Sequence, residues 1–266
     1  MIDYTDISIK EFERSVDLVF PDMLIEPQDT GEIIKSMGRI SFSRFARCDS
    51  LYFSLSHALR SSKIGLEILN SIKYRSGLIK RELAINFMAS VLFCNIGIIK
   101  GILDEDGLEN YKVSDEQMLK LTEANTDSIL WLYKSYRSCQ FLESISFLNT
   151  HTNMALVSKS IEYSDFSITE KSADVKVGVI DKYNRATQII SLMAESNQNR
   201  TLAEYYYSAK EANVIDEDIF QNLGDFKEKW AQYFWDTLYS DVAETILMLR
   251  ETDRGRGIVS SIYSHL

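Results

Sequence analysis

The sequence is poor in residues that interrupt helices: two prolines and eleven glycines among 266 residues. Proline removes a backbone donor and clashes with the preceding turn. Its scarcity leaves long stretches free to be helical and disfavours a sandwich or an α/β chain. Cysteine is scarce as well. Cys48, Cys94 and Cys139 are isolated and odd in number, which excludes a disulfide framework and points to a reducing compartment. No Lys/Arg-rich block appears; the formal charge is −10 and the pI about 4.9. Such a surface lacks what sequence-independent nucleic-acid binding requires, and an anionic membrane would repel it. The first residues, Met1 to Asp6, are acidic and form no apolar leader. The longest apolar run, Ala84 to Ile99, contains Asn86, Ser90 and Asn95, too short and too polar to span a bilayer. These absences predict a cytoplasmic protein without nucleic-acid or membrane partners.

Hydrophobic residues make up 45% and aromatics 11% of the chain, enough to bury a core. Apolar periodicity predicts helices over 9–20, 30–48, 52–72, 83–97, 127–147, 150–163, 177–196, 202–212 and 225–250. The first should stop at Pro21. The acidic stretch 103–125 reads as a surface excursion with at most one short helix, and 169–174 as a loop. Arg254-Gly255-Arg256-Gly257 should break the long last helix before a final turn or two. No repeat, low-complexity tract or linker is visible. A single all-α domain, a helical bundle over 1–266, accounts for the pattern.

Within the run 83–97, Leu83, Ala84, Phe87, Met88, Val91, Leu92 and Asn95 fall at helical spacing. The helix should end near Gly97, where a positive φ is accessible. Cys94 and Asn95 then occupy its last inward turn. On the 52–72 helix, His57 shares a face with Ser61, Ile64 and Ile68, so it too points inward. Familiar catalytic signatures are missing: there is no G-x-S-x-G, no Walker A, no G-x-G-x-x-G and no H-E-x-x-H. Cys94 with His57 would be a nucleophile–base pair, but a buried thiol without a cationic neighbour stays protonated. Two ligands are also too few for structural zinc.

The frame Ile96-Gly97-Ile98-Ile99-Lys100-Gly101 resembles the HD-domain metal-dependent phosphohydrolases, where it follows the His-Asp pair that names the family. Cys94 and Asn95 stand at those two positions. Tyr52 to His57 resembles the family's Tyr-His-Asn-x-x-His, with Phe53 replacing the first His and His57 keeping the second. Thr126 to Arg137 is similar to Thr-Asp-Ala-x-Leu-x-x-Tyr-His-x-x-Arg; Tyr133 is kept and Lys134 replaces the His. Ile161-Glu162-Tyr163-Ser164-Asp165-Phe166-Ser167 resembles Ile-Glu-x-Thr-Arg-Phe-Pro, with Asp165 at the Arg. Arg185-Ala186-Thr187-Gln188 resembles Arg-Ala-Ala-Asp, with Gln188 at the Asp that closes the metal site. Tyr233 to Tyr239 and Ile262 to His265 are similar to the family's C-terminal helix and tail.

The resemblance implies an HD-like core over 51–196, flanked by N-terminal helices over 1–50 and C-terminal helices over 197–266. It implies a cavity at the former metal site formed by His57, Cys94, Asn95, Lys134 and Gln188, with Phe53, Tyr133, Glu162 and Arg185 flanking it. No metal or other cofactor and no catalytic residue is expected. Asn95 and Gln188 remove two carboxylates, and the Lys134 ammonium, paired with Asp127 or Glu162, would stand in for the cation. The expected function is binding of a small molecule or a protein partner. The alternative is an active phosphohydrolase on a nucleotide or other phosphate ester with an atypical metal site. A third reading is self-association through the aromatic-rich C-terminal helix.

Overall fold

The computed structural model describes residues 4–21, 29–166 and 176–266. The helices are α1 (Tyr4–Val19), α2 (Thr30–Phe45), α3 (Leu55–Ser76), α4 (Arg81–Phe93), α5 (Lys134–Ser144), α6 (Ser146–His151), α7 (Met154–Ser164), α8 (Val179–Met193), α9 (Gln198–Glu211), α10 (Leu223–Tyr233), α11 (Tyr239–Leu249) and α12 (Asp253–Tyr263). Two short strands, β1 (Asn110–Lys112) and β2 (Met118–Lys120), form an antiparallel hairpin. The fold is all-α. The expected loop at 169–174 lies outside the described residues.

Helix α4 is the hub. It packs against α2, α3, α7 and α8, and every residue from Ala84 to Phe93 is buried. A helix surrounded on all sides has no polar face to keep, which explains its run of apolar residues. Each such fully buried Leu, Met or Phe stabilises by roughly 1.5–3 kcal/mol relative to exposure. The segment Arg81–Ile98 is long and apolar enough to cross a membrane, but 83% of it is buried inside the fold.

Several boundaries differ from the periodicity. The third helix starts at Leu55, not at residue 52, because Ser54 caps it by accepting the His57 N–H at 3.4 Å. Helix α4 stops at Phe93, and Gly97 does not take a positive φ. Gly97 serves close approach instead: a Cβ there would lie 2.2 Å from the Lys134 carbonyl, so a turn of 3₁₀ helix (Ile96–Ile98) lies directly against α5. The span 127–147 is three pieces, a 3₁₀ segment Asp127–Tyr133 capped by Thr126, then α5 and α6. The span 225–250 is interrupted by a π turn, Phe234–Leu238. The Arg-Gly-Arg-Gly stretch does not break a helix; it lies inside α12, which Thr252 caps. Gly255 fits there because a Cβ would fall 2.0 Å from the Leu249 carbonyl.

The excursion at 103–125 holds the hairpin rather than a helix. Arg137 on α5 fastens it to the core. Its Nε donates to Gly97 O at 2.6 Å and its Nη2 to Ile99 O at 3.0 Å. Its two terminal nitrogens also grip both oxygens of Asp106, at 3.0 and 2.7 Å, and Nη1 reaches Lys112 O at 2.5 Å. Both side chains of this pair are wholly buried.

Candidate functional site

The site lies where the end of α4, the start of α5, α3, α8 and the residues after α7 meet. Asn95 follows the last turn of α4 and leads the 3₁₀ turn. Its Nδ2 donates to Gln188 Oε1 at 2.9 Å and stands 3.4 Å from His57 Nε2. An amide nitrogen carries two donors and no acceptor, so His57 Nε2 accepts and the ring proton sits on Nδ1. The Gln188 Nε2 donates to Asn184 Oδ1 at 3.3 Å, and Asn184 Nδ2 to Ser160 O at 3.2 Å. A chain of neutral amides thus crosses α8 to reach α7.

Lys134 opens α5 and is buried; its ammonium pairs with the Asp165 carboxylate, and both side chains are less than a tenth exposed. Arg185 positions the segment that carries Asp165. Its Nε bonds Asp241 at 2.7 Å, and its Nη1 donates to the carbonyls of Asp165 and Tyr163 at 2.8 and 3.2 Å. Tyr52, Phe53 and Trp131 build an aromatic wall; the Phe53 and Trp131 rings meet edge to face at 4.6 Å. Asn95, Lys134, Ser164, Asp165, Phe166 and Gln188 complete the lining. The cavity they enclose measures about 10 Å³, the room of a single water-sized sphere.

The titratable groups are held uncharged apart from the ion pair. Burial pushes the His57 imidazole down to about 3, helped by the positive charges of Arg60 and Lys134. Burial pushes the Cys94 thiol up to about 12, and Lys134 offsets this only in part. A thiol so placed is neither a thiolate ligand nor a nucleophile.

The structure therefore brings together His57, Asn95 and Gln188 by hydrogen bonds, with Phe53 and Lys134 around the same cavity. His57 stands one layer back, behind Asn95. Cys94 does not line the cavity; its Sγ donates back to Val91 O at 3.4 Å. Tyr133 is half-buried against the core and also stays out of the lining. Glu162 is exposed on the outer face of α7 and flanks nothing here. The partner of Lys134 is neither Glu162 nor Asp127. Asp127 instead accepts the backbone N–H groups of Asp49 and Lys100, at 3.0 and 2.9 Å. Asp165, Ser164, Phe166, Tyr52 and Trp131 are the lining residues that the candidate set lacks. One signal pointed to Asp165: Lys134 and Asp165 are opposite-charge replacements of the His and Arg in the resembling motifs.

These residues do not fit a divalent metal ion. Such ions prefer charged oxygen ligands, whereas His57, Asn95 and Gln188 are neutral and the one carboxylate is held by an ammonium. Among the described residues, no three His, Cys, Asp or Glu side chains converge as a ligand cluster. What the arrangement can do is hold a small polar group against the Asn95 and Gln188 amides beside the Lys134–Asp165 pair.

No curated protein and no solved structure matches this sequence. A family profile does, over residues 3–266, nearly the whole length. The chain belongs to the Npun_R2479-like family.

Proposed function

We propose that this protein is a degenerate HD-domain-like protein that acts by binding a partner molecule rather than by metal-dependent phosphohydrolysis. The observation that carries the reading is the Lys134–Asp165 ion pair, buried in the cavity beside Asn95 and Gln188. A fixed ammonium at that position repels a divalent cation and already satisfies the one nearby carboxylate. The neutral amide chain from Asn95 to Ser160 supports the same reading, because it is complete without an ion. A cavity of about 10 Å³ also leaves no room for a nucleotide, so the binding surface is sought outside it.

The test is metal content and thermal melting of the purified protein with Mn²⁺, Mg²⁺ and Fe²⁺, alongside assays of nucleotide and aryl phosphate hydrolysis. The expected result is no stoichiometric transition metal, no shift in Tm and no hydrolysis. A ligand at a hundredfold excess over its Kd stabilises by roughly 2.7 kcal/mol. A saturable Tm rise with any of these ions at micromolar concentration overturns the proposal.

A further inference from the structure

A second hollow, separate from the cavity, lies along α3. It is a groove of about 720 Å³ between α1, α3, the residues after α8 and the start of α12, within the size range of small-molecule sites. Leu59, Ile64 and Ile258 give it an apolar floor, and four cations rim it: Arg14, Arg60, Lys63 and Arg254. On a chain of net charge −10, this clustering of cations is set apart from its surroundings.

Three carboxylates share the groove, and each is already engaged. Glu11 pairs with Lys63 at 2.6 Å, Glu195 pairs with Arg60, and Glu67 accepts from Thr252 and Asn70 at 2.5 and 3.1 Å. Arg14 and Arg254 are exposed and form no ion pair among the described residues. The surplus charge of the groove is therefore positive. Arg60 adds a buried donor. Its side chain is 18% exposed, yet its Nε is buried and makes no hydrogen bond among the described residues. A guanidinium nitrogen can only donate, and a buried donor left unpaired is costly. What satisfies it must bring an acceptor. One turn back on α3, His57 Nδ1 is likewise buried and makes no hydrogen bond among the described residues.

We propose that this groove binds a small organic anion, a carboxylate or phosphate group on an apolar body. The anionic head lies at Arg60 with Arg14 and Arg254 closing over it, and the body covers Leu59, Ile64 and Ile258. This inference rests on the reading of the protein as a binding protein and gives it a place and a ligand class.

The test is calorimetric titration of the full chain with decanoate, decyl phosphate and inorganic phosphate, with 1-decanol as the neutral control. Decanoate or decyl phosphate should bind saturably and raise Tm, and whichever binds more tightly identifies the head group. Decanol and inorganic phosphate should each bind at least tenfold more weakly than the better amphiphile. Arg14→Ala and Arg254→Ala should each weaken binding by up to about fivefold, the scale of an exposed charge pair. Arg60→Gln should abolish it. If Arg60→Gln does not fold, the Arg14→Ala/Arg254→Ala double variant, which touches only exposed side chains, carries the test. Absence of saturable binding at millimolar concentration, decanol binding as tightly as decanoate, or an unchanged Kd in the double variant each overturns the proposal. None of these outcomes bears on the metal melts. The metal melts and hydrolysis assays read the cavity and the titrations read the groove, so a failure of one reading is distinguishable from a failure of the other.

Discussion

Arg137 and Lys134 lie one turn apart on α5, and each is a buried cation facing a buried carboxylate. They are satisfied in opposite ways. Arg137 has a two-pronged grip on Asp106 and spends its remaining donors on the carbonyls of Gly97, Ile99 and Lys112. Its partners tie the 3₁₀ turn and the residues after it to the hairpin region. Among the described residues Lys134 pairs with Asp165 alone, in a cavity walled by aromatic rings and neutral amides. The planar guanidinium is built for several fixed contacts at once, whereas an ammonium is a point charge on a flexible stem. The difference separates a cation that the fold depends on from a cation that occupies a site.

Breaking the first should be the more damaging. Arg137→Ala leaves the Asp106 carboxylate buried and unpaired, a loss of about 3–5 kcal/mol, and also orphans three carbonyls. The expected outcome is a protein that fails to fold or unfolds at much lower urea concentration. Arg137→Lys should not rescue it, because one ammonium cannot reach all these acceptors. Urea denaturation followed by circular dichroism reads this directly. If Arg137→Ala lost no more stability than a typical surface variant, the anchoring role would fall.

Lys134 should behave differently. Lys134→Met removes the ammonium from beside the buried Asp165 carboxylate and should lose about 3 kcal/mol. Adding Asp165→Asn removes the buried negative charge as well, so the double variant should recover part of that loss; replacing a whole buried pair is often close to neutral. The double-mutant cycle therefore gives a large coupling energy for this pair. A double variant as unstable as Lys134→Met alone would place Lys134 among the structural anchors, beside Arg137.

The same contrast marks how far the sequence speaks. The helices follow from apolar spacing, and α4, buried on every side, carries the longest apolar run. The proximity of Asn95 and Gln188, 93 positions apart, is legible only through the order of the resembling motifs. Periodicity says nothing about it. The Lys134–Asp165 contact is a tertiary pairing between α5 and the end of α7, and no local spacing encodes it. Glu162, three residues earlier, fits sequence reasoning equally well and turns out on the solvent side of its helix. The hairpin at 110–120 is held by Arg137 from outside its own stretch, so its residues alone do not announce it. The π turn at Phe234–Leu238 and the close approach at Gly97 are packing facts of the same kind.

The smallest expected effect comes from His57, which joins the two cations' region to the neutral amides. In the folded protein its imidazole is held down to about 3 by burial and by Arg60 and Lys134; in the unfolded chain it titrates near 6.5. The Tyr52 phenol, whose ring lies 4.6 Å from the imidazole, is uncharged near neutrality, raised chiefly by burial. Below about pH 6.5 the unfolded chain binds a proton that the folded protein refuses, so stability falls as the pH is lowered. Each pH unit in this window is worth about 1.36 kcal/mol. The loss from His57 alone should thus be about 2 kcal/mol between pH 6.5 and 5, above the range where unfolded carboxylates titrate. In His57→Gln the amide keeps a hydrogen-bonding group beside Asn95 but cannot take up the proton. The slope of unfolding free energy against pH in that window should drop by close to one proton relative to the parent. Urea denaturation at several pH values compares the two slopes. An unchanged slope would mean that His57 protonates as readily in the fold as in the unfolded chain, and the picture of a cavity that tolerates one cation, Lys134, and excludes a second would have to be given up.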